Sequence, residues 1–272
     1  MKTILNTLTT MIAISVLGTS AYAKSTLDNP DFLRKLANPA DYKVNHSTAE
    51  SICGKSDLQH VSEYDGTRGQ PVEFIAGHEQ AVGALAYGTP DKTSSKYCTG
   101  TLISEDLFIT ASHCVEATIT SEFAVFNYEK LRGTTELAEQ KHFKVLEIVE
   151  QSLGDLDYAI IRIDGKPGLK YGFTKIRPTQ IENGNMLTII QHPSGRPKMV
   201  DVGHKLGEAQ KYMQYGDLDT EPGSSGSGVL DQEGLIVGIH TNGGCSVSSG
   251  ANSGVLMTEI AKASPVIQSL TQ

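Results

Sequence analysis

The chain has no surplus of positive charge: 23 Lys and Arg stand against 31 Asp and Glu over 272 residues, a net charge of −8. That balance excludes the basic stripe through which proteins hold nucleic acid. It suits a soluble protein and says little about the substrate. Long apolar runs are lacking too, so a stable membrane anchor is excluded. Cysteines are few, at 53, 98, 114 and 245, and no two form a Cys-x-x-Cys pair. A thiolate metal site is therefore not expected, and neither a metal nor a cofactor is called for. Helical patterning is scarce as well. Only residues 259–270 read as a short C-terminal helix, and Pro265 weakens even that.

What is present begins with a leader. Lys2 gives a positive start, residues 11–17 an apolar centre, and Ala21-Tyr22-Ala23 a small-x-small cleavage site. Residues 1–23 thus read as a signal peptide, too short to span a bilayer as a stable anchor. This predicts a secreted protein, extracellular or periplasmic. Residues 24–70 are polar and irregular, punctuated by Asn29-Pro30, Asn38-Pro39 and Asp65-Gly66.

From about 71 to 268 the pattern is β. Short apolar or alternating runs occur at 74–75, 81–87, 100–103, 107–110, 123–126, 143–149, 158–163, 186–190 and 235–239. Gly, Pro, Asn and Ser clusters separate them, which argues for an all-β barrel or sandwich. Gly165, Pro167, Gly168 and Pro178 form one such cluster.

Three stretches carry chemistry. In Thr220-Glu221-Pro222-Gly223-Ser224-Ser225-Gly226-Ser227-Gly228 the glycines permit positive φ and close approach. A Ser held there can present a nucleophilic hydroxyl beside converging N–H groups. A flexible Gly/Ser linker is the alternative, but a strand pattern follows at once. Upstream, an apolar strand runs into a small-residue turn carrying His113, a candidate base. Further on, Asp155 and Asp157 precede the β-branched run 158–163. A carboxylate at the mouth of such a strand can fix the imidazole tautomer.

These stretches resemble the chymotrypsin-like serine proteases, in their bacterial secreted branch that includes the glutamyl endopeptidases. Thr110-Ala111-Ser112-His113-Cys114 is similar to that family's His motif, Asp157-Tyr158-Ala159-Ile160 to its Asp motif, and Gly223-Ser224-Ser225-Gly226-Ser227 to its nucleophile motif. Cys98 to Ser104 and Ile189-Ile190-Gln191-His192-Pro193 match further boxes. The resemblance implies two six-stranded antiparallel β-barrels, about 71–170 and 171–258 with the boundary at the Gly/Pro cluster of 165–178, with His113 and Asp157 in the first and Ser225 in the second. It favours Asp157 over Asp155 as the orienter. It implies a serine endopeptidase acting on proteins or peptides, with the N–H groups of Gly223 and Ser225 as the oxyanion hole and Thr241 and Gly243 along the substrate backbone. Thr220 and His240 match positions where glutamyl endopeptidases hold a substrate Glu. Asp219 stands where trypsin-like enzymes select Lys or Arg, which keeps that specificity open. His192 reads as structural. Ser112 and Gly228 depart from the family pattern without removing a catalytic atom.

An even number of cysteines in an exported chain favours disulfides. Cys98 and Cys114 flank the segment that delivers His113 and match the family's bridge beside it. That leaves Cys53 with Cys245, unless Cys53 lies in a removed propeptide, which the resemblance implies for part of 24–70. If the chain is a zymogen, Ser224 predicts activation without the usual salt bridge, because a hydroxyl cannot pair with a freed ammonium as the family's Asp does. A protease-like binding protein, an adhesin or toxin, is the second reading. The oligomeric state is not readable.

Overall fold

The computed structural model describes residues 51–154, 156–246 and 249–272. The leader and residues 24–50 of the expected N-terminal segment lie outside them. Residues 51–70 carry a short strand, β1 (Gln59–His60), and lead into helix α1 (Val72–His78). The apolar pair Phe74-Ile75, expected in a β pattern, is helical instead. Pro71 supplies a pre-set φ at the N-cap and only Ile75 is buried, so a short apolar pair could not distinguish the two states.

Six strands follow: β2 (Val82–Ala86), β3 (Lys96–Leu102), β4 (Leu107–Thr110), β5 (Phe123–Phe126), β6 (Lys141–Ser152) and β7 (Tyr158–Ile163). They close into an antiparallel barrel in the order β2-β3-β4-β7-β6-β5. Leu85, Leu102, Phe108, Phe126, Val145 and Ile161 fill it. Phe126 stacks on Tyr171 at 5.1 Å. Tyr171 ends helix α2 (Gly168–Tyr171), in the connection to the second half.

The second half has β8 (Met186–Gln191), β9 (Met199–Ala209), β10 (Tyr212–Tyr215), β11 (Gly228–Asp231), β12 (Ile236–Asn242) and β13 (Asn252–Leu256). The order β9-β10-β13-β12-β11-β8, closed by pairing of β8 with β9, makes a second six-stranded barrel, and β1 is added at β9. β9, β10 and β13 were absent from the sequence-based strands. The C-terminal helix is two helices. α3 (Met257–Ala263) stops at Ser264, whose Oγ accepts from Ile267 N, and Pro265 opens α4 (Pro265–Leu270), where its missing N–H costs nothing.

Candidate active site

β4 ends at Thr110 and the chain tightens into one 3₁₀ turn, Ser112–Cys114. Ser112 and Cys114 are buried, which leaves His113 at the barrel rim. Cys114 is bonded to Cys98 on β3, 16 residues away. Closing a loop of that size removes about 3 kcal/mol of unfolded-chain entropy. Asp157, at the mouth of β7, sits at φ 41°, a region an Asp tolerates better than most residues. Its Oδ2 accepts from His113 Nδ1 at 2.7 Å, and its Oδ1 from His113's own backbone N–H at 2.9 Å. One carboxylate thus fixes both the ring and the main chain of the same residue. Asp155 lies outside the described residues.

His113 Nε2 stands 2.8 Å from Ser225 Oγ. Ser225 belongs to the loop that enters β11, and the loop is held from both sides. Gly223 has φ 102°, and a Cβ there would lie 2.7 Å from His192 O. Gly226 has φ 89°, and a Cβ would meet Thr110 Oγ1 at 2.1 Å. Neither position admits a side chain. Ser194 N donates to Pro222 O. Ser194 Oγ and Arg196 Nη2 each reach Glu221 at 2.6 Å. Ser224 Oγ accepts from Glu221 N at 3.1 Å, so the hydroxyl at that position works within the loop.

Thr99 on β3 was not singled out by the sequence. Its backbone N–H donates to Ser225 O at 2.9 Å. Its Oγ1 donates to Gly223 O at 2.7 Å and accepts from His192 N at 2.9 Å. A fully buried residue of the first barrel therefore pins the nucleophile loop of the second. His192 is also wholly buried, stacked on Tyr128 at 5.6 Å. Burial drives its pKa down to about 3, and Nδ1 donates to Arg196 O. It is part of the loop's packing.

A cavity of about 290 Å³ opens beside these three residues, lined by His113, Asp157, Leu153, Tyr212, Thr241 and Asn242. The register of β12 against β13 shifts between His240 and Asn242, which leaves Thr241 unmatched in that ladder. Gly243 follows directly. His240 is fully buried, with Nδ1 2.5 Å from the Tyr215 hydroxyl. Burial first, and then the nearby His113, lower its pKa to about 3, so the ring is neutral near pH 7. Thr220 is fully buried, and its Oγ1 has no hydrogen-bond partner among the described residues.

Asp219 is not placed to meet a substrate cation. It is 1% exposed. Its Oδ1 accepts from Cys53 N at 2.7 Å and its Oδ2 from Asp57 N at 3.0 Å. Burial, opposed by these two donors, raises its pKa to about 6. Both oxygens face the N-terminal segment, which corrects the expectation that Asp219 shapes specificity by direct contact. Cys53 is bonded to Cys245, so Cys53 is tied into the second barrel. The roles of Tyr215 and Asn252 were missed because their strands were.

Known proteins agree with this architecture. The profile of the trypsin-like peptidase domain matches residues 98–239. A secreted RxLR effector protein of Plasmopara viticola is 24% identical over 220 residues, 74% of this chain and 53% of that one. The chain thus spans about half of that relative. Glutamyl endopeptidase of Staphylococcus aureus (strain N315) is 22% identical over 253 residues, 87% of this chain and 70% of the relative. Among solved structures, a Glu endopeptidase in complex with MPD superposes with a TM-score of 0.57 at 21% identity, covering 82% of this chain and 100% of the other. The serine endoprotease from Yersinia pestis gives 0.54 at 16% identity, covering 73% and 65%.

Proposed function

The chain belongs to the trypsin-like peptidase family, and from that premise we propose that it is a secreted serine endopeptidase that cuts protein chains after Glu. The observation that carries the reading is one line of contacts. Ser225 Oγ is 2.8 Å from His113 Nε2, and His113 Nδ1 is 2.7 Å from Asp157. His113 takes the proton from Ser225 as the hydroxyl attacks a peptide carbonyl, then returns it to the leaving amine. Asp157 holds the tautomer and stabilises the imidazolium. The acyl-enzyme is released when a water, deprotonated by His113, attacks the ester.

The N–H groups of Gly223 and Ser225 serve as oxyanion donors; losing one such donor costs about 3 kcal/mol of transition-state stabilisation. Thr241 and Gly243 pair with an extended substrate backbone. The unpartnered Thr220 hydroxyl and the His240 ring supply donors for the carboxylate of the residue before the cut. A Lys or Arg preference through Asp219 loses support, since both of its oxygens accept backbone N–H groups. Secretion rests on the leader composition of residues 1–23, and removal of a propeptide on the resemblance.

A fluorophosphonate probe tests the chemistry: it should label Ser225 in the wild type and leave Ser225→Ala unmodified. A peptide-library digest tests the pocket, with cuts after Glu in wild type and loss of that bias in His240→Ala. A processed wild type that neither labels nor cleaves a denatured protein would return the chain to the binding-protein reading.

A further inference from the structure

Residues 51–57 precede the first barrel in the chain yet bind to the second. Ser51 O accepts from Thr220 N at 3.3 Å and from Asn252 Nδ2 at 2.7 Å. Ser51 Oγ donates to Asn252 Oδ1 at 3.0 Å and accepts from Gly244 N at 3.1 Å. Asn252 is wholly buried, and its Nδ2 also donates to Leu218 O at 2.8 Å. Its Oδ1 accepts from the N–H groups of Gly244 and Cys245 as well. Two residues on, Cys53 N and Asp57 N occupy both oxygens of Asp219, and Cys53 is bonded to Cys245.

The segment therefore touches both stretches that carry the proposed pocket. One is 218–220, ending at Thr220. The other is 243–245, just after His240 and Thr241. Asn252 joins the two stretches to each other and to the strap. Charge adds a reason for the segment to stay. Carboxylate oxygens of Asp57, Asp201 and Asp219 lie within 4.8 Å of one another. Arg68, from the same N-terminal region, pairs with Asp57 and with Asp201 at 3.3 Å. Without residues 51–68, Asp201 and Asp219 would face each other buried, with the cation and two N–H donors removed, and a buried charge left unpaired is strongly destabilising.

We propose that residues 51–57 are a strap that sets the position of the specificity-pocket walls, with Ser51, Asp219 and Asn252 as positioning residues. The strap rests on the reading of Thr220 and His240 as that pocket. Its hydrogen bonds and disulfide reach Thr220 but neither His113, Asp157 and Ser225 nor the rest of the loop over 221–228, so it acts on recognition of the residue before the cut and not on the chemical step. It also gives Asp219 a role: the carboxylate holds the strap, not the substrate.

The test uses the full, processed chain with Ser51→Ala, Asp219→Asn and the paired change Cys53→Ser with Cys245→Ser. Peptides differing only in Glu or Gln before the cut are compared, alongside the rate of fluorophosphonate labelling. Ser51→Ala and Asp219→Asn should each raise KM for the Glu peptide by about tenfold, the worth of one hydrogen bond; loss of the Cys53–Cys245 disulfide should raise it at least as far, and all three should narrow the Glu-over-Gln ratio. Labelling should stay within about threefold of wild type, because the probe reads the triad without filling the pocket with a carboxylate. Ser51→Ala removes a single half-buried hydroxyl and leaves the buried residues in place, which keeps the test open if a buried variant fails to fold. Variants that label normally and keep the wild-type residue preference overturn the strap. A wild type without Glu preference sinks the pocket reading instead, and the strap is then judged on whichever residue the wild type prefers.

Discussion

The first barrel is filled mainly by hydrocarbon, with short buried hydroxyls such as Thr99, while the second packs longer polar and charged groups around its apolar cluster. Inside β2 to β7 lie Leu85, Leu102, Phe108, Phe126 and Ile161, all wholly buried. Around β8 to β13 the buried set includes Lys198, Asp201, His204, Lys205, Gln214, His240 and Asn252. Each such group costs free energy unless it is paired: Lys198 reaches Glu79 and Glu129, each at 2.8 Å, Asp201 pairs with Arg68, and His204 with Asp217. The first barrel is a frame that presents His113 and Asp157 at its rim. The second is held by polar interior groups around the proposed pocket. Hydrocarbon tolerates small displacements, whereas paired polar groups define positions.

The sharpest way to break this contrast is to cut the triad from either side. Ser225→Ala from the second barrel and His113→Ala from the first should each lower kcat by about 10⁶, and the double variant should fall no further. Losses that add in peptide-hydrolysis assays would mean that the two halves do not act as one unit. Asp157→Asn should cost about 10⁴ in kcat, since it leaves the ring in place with the wrong tautomer.

Stability separates the interiors next. Phe108→Ala should cost ~3–5 kcal/mol by leaving a cavity. Lys198→Ala should cost ~3–5 kcal/mol by stranding Glu79 and Glu129. Acid distinguishes them. Burial already raises the Glu79 pKa above 4.5, and losing Lys198 raises it further. The Lys198 penalty should therefore shrink as pH falls toward that range, whereas the Phe108 penalty should not change. Urea unfolding at pH 7 and pH 5 reads both.

The smallest effect is a slope. The pKa of His192 is about 3 in the folded chain against 6.5 for a free ring. The unfolded chain takes the proton first, so stability is full above 6.5 and is lost as pH falls toward 3. His192→Asn should make that slope shallower by about one proton, seen in Tm measured across the window.

The same contrast governed what could be read in the chain. The strands of the first barrel are apolar runs, and β4, β5 and β7 stood out with their boundaries nearly right. β9 carries Asp201, His204 and Lys205 within an almost wholly buried run, and β13 opens with Asn252-Ser253-Gly254. A search for apolar runs passes over both. The proposed triad could be suggested from the chain because each candidate sits in its own short motif, and Asp157 was preferred over Asp155 from the Tyr-Ala-Ile that follows it. Thr99 and Ser51 were not legible. Their partners Gly223 and Asn252 lie 124 and 201 residues away, and no local pattern announces such a pairing. Asp219 was read as a pocket residue because its position in the chain gave no sign of which way it faced.

Thr99 has one further consequence. Its amide and hydroxyl bind the carbonyls of Ser225 and Gly223 from across the barrel boundary, so these bonds to the Ser225 loop exist only when the two halves have docked. Anything that parts the two halves would therefore release the Ser225 loop at the same moment, so the loop's geometry reports on how the barrels are joined.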